Sequence, residues 1–273
     1  MAPISEFGLH DCLALVTGGA SGIGRACAQW MAEHGCAVIV ADRDAQAGAA
    51  AALALAGEAR SVEARSVDVR DADAVAAMVA EVESRAGPIG ILVNAAGVLQ
   101  NPLPPDELTM KEWDLVTGVD LRGTYVVCAA VGSRMASRGR GSIVNIGSIA
   151  GLRAGRLHAY GPAKAAVIAL TENLAAEWGR RGVRVNSVSP GFTRTPAVGR
   201  SLARGVLAED RLAESTALGR LIEPGEIAAA VGFLASPLAA AITGTNLTVD
   251  AGFLVGAASA VYGAPTQTGG AMP

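Results

Sequence analysis

Aromatic residues make up 4% of the 273-residue chain, and there are three histidines, His10, His34 and His158. The histidines share no motif, which argues against a catalytic metal. Cys12, Cys27, Cys36 and Cys128 also lack metal-ligand spacing and fall in segments expected to be buried; they read as reduced core thiols of a cytosolic protein. There is no basic run, and the net charge is −3, so nothing electrostatic recruits nucleic acid. Arg134, Arg138 and Arg140 read as a solvated helix end. The N-terminus has no basic segment followed by an apolar one, so no secretory leader is expected. The most apolar late run, residues 227–242, is broken by Pro237 and too short to span a bilayer. A cytoplasmic, soluble protein without nucleic-acid or membrane partners is expected.

The chain is rich in hydrophobic residues, 51% of the total, arranged as short apolar runs alternating with Ala-rich helical segments. That composition suits parallel strands buried on both faces, with helices packed close against them. The length would allow two domains, but the alternation predicts one Rossmann-type α/β domain: a doubly wound parallel sheet of about seven strands. Its core is expected over residues 8–252, followed by a tail, 253–273, that is disordered or packs on a neighbouring subunit. Strands are expected at 12–17, 37–41, 61–67, 89–94, 142–146, 183–188 and 246–250. Helices are expected at 25–34, 44–57, 71–86 with Asp71 as its cap, 111–137, 160–180 and 226–235. Residues 196–217 show no clean pattern.

The first strand runs into Thr17-Gly18-Gly19-Ala20-Ser21-Gly22-Ile23-Gly24 and then a helix. A strand, a glycine turn and a helix make the setting of a dinucleotide site. Gly18 permits a sharp turn, Gly22 a close approach to pyrophosphate, and Gly24 tight packing of helix on strand. The helix N-terminus then offers free N–H groups and the positive end of its dipole to phosphates. The second strand ends at Asp42, placed to accept hydrogen bonds from the adenosine ribose and to repel a 2′-phosphate. NAD is therefore expected over NADP, with Arg43 as the counter-argument and helix capping as the simpler role for Asp42.

Tyr160 and Lys164 lie one helical turn apart, with Ser148 and Asn145 upstream. Positions i and i+4 share a helix face, so the ammonium can favour the Tyr160 phenolate. A phenol of pKa about 10 would then become a usable base nearer neutrality. Ser148 supplies a hydroxyl to hold the substrate oxygen.

From about Leu13 to Gly252 the chain resembles the short-chain dehydrogenase/reductase family. The resemblance rests on the Thr-Gly-x-x-x-Gly-x-Gly turn, Asp68-Val69, Asn94-Ala95-Ala96-Gly97 (Ala95 replacing a second Asn), Ser148, Tyr160, Lys164 and Pro190-Gly191-Phe192-Thr193-Arg194-Thr195. It implies hydride transfer between nicotinamide C4 and a carbinol or carbonyl carbon. It assigns Asp68 and Val69 to the adenine, Asn94 and Gly97 to the cofactor loop, Thr193 and Thr195 to the carboxamide loop, and Lys164 to the nicotinamide ribose. Two departures stand out. Asp120 occupies the place of a family Asn that bends its helix and holds a water leading from Lys to solvent. Asp120 can accept but not donate, and it adds a charge beside Lys164. The Ser148-to-Tyr160 interval is also one residue shorter than usual, a deletion that the loop through Gly151 and Gly155 can absorb.

The substrate is expected to be a secondary alcohol or ketone: a polyol, a cyclic ketone or an oxoacyl group. Val98, Leu99, Ile149, Leu152, His158 and Phe192 should line its pocket, with Arg153, Arg156 and His158 hinting at an anionic group. Competing readings are an NADPH-dependent 3-oxoacyl reductase, an epimerase or dehydratase, and a non-catalytic NAD sensor. Family members commonly form homotetramers, and Val116, Val127, Val131, Met135, Val167, Leu170, Leu174 and Trp178 are expected to include the apolar patch that drives assembly.

Overall fold

The computed structural model describes residues 7–56 and 61–256. Seven parallel strands form one sheet in the order β3-β2-β1-β4-β5-β6-β7. The first half runs β1 (Leu13–Thr17), α1 (Gly22–Glu33), β2 (Ala37–Asp42), α2 (Ala45–Leu55), β3 (Val62–Ser66), α3 (Ala72–Ala86) and β4 (Ile89–Asn94). The second half runs α4 (Met110–Thr117), a π-helical turn (Gly118–Gly123), α5 (Thr124–Arg138), β5 (Gly141–Ile146), α6 (Tyr160–Trp178) and β6 (Val183–Pro190). It closes with α7 (Pro196–Ala203), α8 (Glu209–Glu214), α9 (Pro224–Ala235) and β7 (Asn246–Val249).

Side chains alternate across the sheet, so neighbours in a strand enter different cores. Ala14 and Val16 join Met31 of α1 and Ile227 and Val231 of α9 on one face. Leu13 and Leu15 join Val79 of α3, Met135 of α5 and Trp178 of α6 on the other. The strand order reverses between β1 and β4, and in open parallel sheets ligands bind at the carboxyl ends of the strands beside such a reversal.

Local chemistry accounts for most boundaries. Asp71 accepts from Asp73 N and Ala74 N, and Asp44 accepts from Ala47 N, capping α3 and α2. The expected helix 111–137 is two α-helices joined by the π-turn, because one extra residue per turn preserves the apolar stripe that the sequence shows. Residues 196–217 hold two short helices, α7 and α8, whose few turns, with Pro196 and Gly199 in α7, hide their period. Seven of the eight apolar residues expected to include the assembly patch are buried; only Leu170 is half-buried. Their stripe faces the sheet, and Met110, Leu115 and Tyr125 are the large apolar side chains that α4 and α5 expose.

All four cysteines are free. Cys12 is half-buried, and burial pushes the Cys27, Cys36 and Cys128 thiols up to about 12, leaving them unreactive. The helical stretch Met110–Arg138 is long and apolar enough to cross a membrane by composition, yet half of its most apolar window is buried in the fold, as in a core helix of a globular domain. The expected tail lies outside the described residues except for 253–256, which form a helical turn on the body of the domain.

Candidate active site

A cavity of about 1380 Å³ opens at the carboxyl ends of the strands and holds nearly every site residue that the sequence singles out. Its nucleotide end is built by the glycine turn. Gly18 has φ +64°, and a Cβ there would sit 2.7 Å from the Ala96 backbone. A Cβ on Gly24 would stand 2.2 Å from the Gly18 carbonyl oxygen. The first turn of α1 has no side-chain cap and no acidic residue, while Ser21, Gly22, Ile23 and Gly24 line the cavity. Its N–H groups therefore remain available to an anion. These features fit a dinucleotide pyrophosphate.

Asp42 lines the same end. Its Oδ2 accepts from Ala20 N at 3.1 Å and its Oδ1 from Asp44 N at 3.0 Å. The carboxylate thus braces the glycine turn, each oxygen keeping a further lone pair, while Asp44 does the helix capping. Asp68 and Val69 form the neighbouring wall. Arg70, which the sequence reading passed over, donates to Asp68 at 2.6 Å and holds its carboxyl down to about 2.

Asn94 does not line the cavity. Strand alternation turns it inward, where its Nδ2 donates to Asn145 Oδ1 at 2.9 Å and Cys128 Sγ at 3.1 Å. Asn145 Nδ2 donates in turn to Thr171 Oγ1 at 2.9 Å. This buried chain ties β4 and β5 to α6 and so sets the helix that carries Tyr160 and Lys164. Gly97, three residues further on, reaches the wall; a Cβ there would lie 3.3 Å from Asp120 Oδ2.

Ser148, Tyr160, Lys164 and Asp120 meet at the centre. Lys164 is 4% exposed. Its Nζ donates to the Ile146 carbonyl at 3.0 Å and lies 5.6 Å from the centre of the Tyr160 ring. Ser148 Oγ accepts from Ala150 N at 3.1 Å and lines the same cavity as Tyr160, close enough to favour the phenolate. The shortened loop leaves this group assembled, since the turn at Gly151 packs so tightly on α6 that a Cβ would meet Ala165 N at 2.7 Å.

Asp120 sits in the π-turn, fully buried. Its Oδ1 accepts from Val98 N at 2.8 Å. Its Oδ2 has no hydrogen bond but stands 3.5 Å from Lys164 Nζ, an ion pair too long to be a good hydrogen bond. Burial pushes the Asp120 carboxyl up, with Lys164 pulling the other way. Burial acts to lower Lys164, but Asp120 and Tyr160 outweigh it and the ammonium is held above its ordinary value. For Tyr160, burial pushes the phenol up, Lys164 pulls it down and Asp120 pushes it up again; the net direction is upward. Lys164 pulls in the expected direction, but burial and the carboxylate behind it outweigh the pull, so the phenol stands above its ordinary value and not nearer neutrality as the sequence predicts. Because Tyr160 is only half-buried and lines the cavity, water there relieves part of the burial penalty.

Gln100 carries no local sequence signal, yet it is 4% exposed and its Oε1 accepts from Ala159 N at 2.7 Å and Tyr160 N at 3.1 Å. It caps α6 from a loop 60 residues away in sequence. Thr193 and Thr195 line the cavity roof. Thr195 caps α7 and its methyl lies 3.4 Å from a Cβ built on Gly22, closing the roof over the glycine turn. Arg194 pairs with Glu209 at 2.5 Å and Glu223 at 3.0 Å, fastening α8 beside it. Val98, Leu99, Ile149, Leu152, His158 and Phe192 line the substrate end as expected. Phe253 joins them, its ring edge-on to Phe192 at 5.4 Å, so the wall continues into the segment expected to be tail.

This fold and cavity define a nicotinamide-cofactor oxidoreductase, and the comparisons agree. The family model described as enoyl-(acyl carrier protein) reductase matches residues 18–254. D-threitol dehydrogenase of Mycolicibacterium smegmatis is 41% identical over 251 residues, 92% of this chain and 95% of that protein. A crystal structure described as a ribose-5-phosphate isomerase from Brucella melitensis 16M is 54% identical, with TM-score 0.88 over 93% of this chain and 96% of that one. A gluconate 5-dehydrogenase from Burkholderia cenocepacia J2315, in complex with NADP and tartrate, is 33% identical with TM-score 0.87 over 92% and 98%. The chain belongs to the short-chain dehydrogenase/reductase family.

Proposed function

We propose that the protein is an NAD-dependent dehydrogenase of secondary hydroxyls in polyols and related ketones, with Tyr160 as its acid and base. The observation that carries this reading is the joint placement of Ser148, Tyr160, Lys164 and Asp120 on one cavity wall, next to a glycine turn with free N–H groups. In oxidation, the Tyr160 oxygen takes the hydroxyl proton while Ser148 holds the substrate oxygen and stabilises its developing charge. Lys164 keeps a positive charge beside the phenol, and Asp120 anchors that charge at the buried end of the proton path. Reduction runs the same groups in reverse, so low pH favours it and high pH favours oxidation.

Gly18 to Gly24 would hold the cofactor phosphates, Asp42 the adenosine ribose, Asp68 and Val69 the adenine, and Gly97, Thr193, Thr195, Tyr160 and Lys164 the nicotinamide half. When bound, the cofactor accepts or returns the hydride, and its oxidised ring adds positive charge near Tyr160. Asn94 acts by fixing β4 against β5 and α6. Asp42 supports NAD, because a 2′-phosphate would lie against a carboxylate already committed to Ala20 N.

Net NADH production from a panel of secondary alcohols tests the activity. An isomerase acting on a sugar phosphate, or an NAD sensor, would give none. With NAD, kcat/KM should exceed that with NADP roughly tenfold or more, about 1.4 kcal/mol, and Asp42→Ala should narrow the gap. Equal use of both cofactors would give control of the site to Arg43.

A further inference from the structure

Three carboxylates line the cavity, and each is engaged away from its substrate end. Asp42 accepts from Ala20 N of the glycine turn and from Asp44 N, Asp68 pairs with Arg70, and Asp120 lies behind Lys164. Arginines line the same cavity: Arg153 and Arg156, from the loop between Ser148 and Tyr160 that also brings in Leu152 and His158, and Arg200 and Arg204, from α7 and its C-cap, all four exposed to solvent. No carboxylate of the described residues lies within ion-pair distance of these four. Arg153 donates only to the neighbouring Leu152 carbonyl. Eight arginines elsewhere, including Arg194 within α7's own approach, do pair with carboxylates.

A chain of net charge −3 therefore places these four guanidiniums, besides Arg43 at the nucleotide end, around one cavity with no ion-pair partner among the described residues. Two come from each of two segments that line one cavity only in the fold. Arg200 and Arg204 are also four apart, a like-charge spacing that destabilises a helix unless an anion offsets it. A cleft lined by one sign of charge concentrates ligands of the other sign. The guanidinium fork matches the two oxygens of a carboxylate or phosphate.

We propose that the substrate carries an anionic group, a carboxylate or a phosphate monoester, at the end remote from the reacting carbinol. Arg153, Arg156, Arg200 and Arg204 bind that group and set specificity for a hydroxy acid or a sugar phosphate over a neutral polyol. This rests on the reading of the cavity as a dehydrogenase site. It adds that the arginines orient the chain so that one hydroxyl meets Ser148 and Tyr160.

The test uses a matched series of equal chain length: an alditol, the corresponding aldonate and the alditol phosphate. NADH formation gives kcat/KM for each with wild type and with the double variants Arg153→Ser/Arg156→Ser and Arg200→Ser/Arg204→Ser. One anionic member should exceed the alditol roughly tenfold or more, the scale of a charge-assisted hydrogen bond, and added salt should raise its KM. In the double variants the ratio of anionic to neutral kcat/KM should fall toward one; taking the ratio within each variant cancels any loss of folded enzyme. Which anion leads, aldonate or phosphate, identifies the group. Turnover of the alditol as fast as both anions, or a ratio unmoved in both variants, overturns the proposal while leaving the dehydrogenase reading intact. If no member gives NADH, that reading fails, and calorimetry of aldonate and alditol phosphate binding to the NAD-loaded protein decides the anion site: wild-type binding lost in the variants upholds it, and no binding overturns it.

Discussion

Asp120 is the residue at which this sequence departs from the family pattern that it resembles, which has an Asn there. The substitution puts a carboxylate, rather than an amide, 3.5 Å from the buried Lys164 ammonium. It holds Lys164 up and contributes to holding Tyr160 up, after burial and against Lys164 itself. Oxidation needs the deprotonated phenol, so a raised Tyr160 delays the rise of activity with pH. Asp120→Asn removes that contribution, and the rising limb of oxidative kcat against pH should move to lower pH. Turnover at neutral pH should stay within a few fold of wild type or increase. A pH profile that stays put, or an activity that collapses, would mean the charge serves another step. The sequence alone identifies Asp120 as anomalous and sets it beside Lys164. The direction of its influence on Tyr160 was not legible there, because it depends on burial. Asn94 shows the converse: its motif is plain, but only the pairing of β4 with β5 reveals that its side chain points away from the cavity.

Among the elements, those with local causes were legible and those with distant causes were not. Asp71 and Asp44 cap helices from within two or three residues and can be read directly. Gln100 caps α6 across 60 positions and leaves no local trace. The π-turn at Gly118–Gly123 keeps the hydrophobic stripe intact and so hides inside an ordinary helical pattern. Helix packing makes similar demands at single glycines. Gly132 of α5 lies under the Trp178 ring of α6, where an added Cβ would stand 2.2 Å from Cζ3. Gly132→Ala should therefore destabilise the fold by roughly 1–3 kcal/mol through overpacking, seen as a lower denaturant midpoint with an unchanged slope. Gly199, in the middle of α7, has nothing within 4 Å of its added Cβ. Gly199→Ala should be neutral or stabilising by about 0.5–1 kcal/mol. Equal effects from the two substitutions would contradict this packing account.

At the scale of the whole molecule, the doubly wound sheet was readable from alternating apolar runs, because parallel strands buried on both faces need them. The assembly surface was not, since the same alternation marks core. Val127, Val131 and Met135 are fully buried, while Met110, Leu115 and Tyr125 are the large apolar side chains that α4 and α5 leave exposed. A homotetramer built on these helices should scatter light with a mass near four times 27.4 kDa at micromolar concentration, and Tyr125→Glu should lower it. A wild-type mass near that of one chain would contradict the assembly. The account as a whole rests on Tyr160 moving the proton while the hydride moves, and Tyr160→Phe isolates that claim because it removes one oxygen and keeps the ring. With NAD and the best secondary alcohol of the panel, its kcat should fall at least about 100-fold while NAD still binds with near wild-type affinity. Turnover close to wild type in that variant would contradict the mechanism.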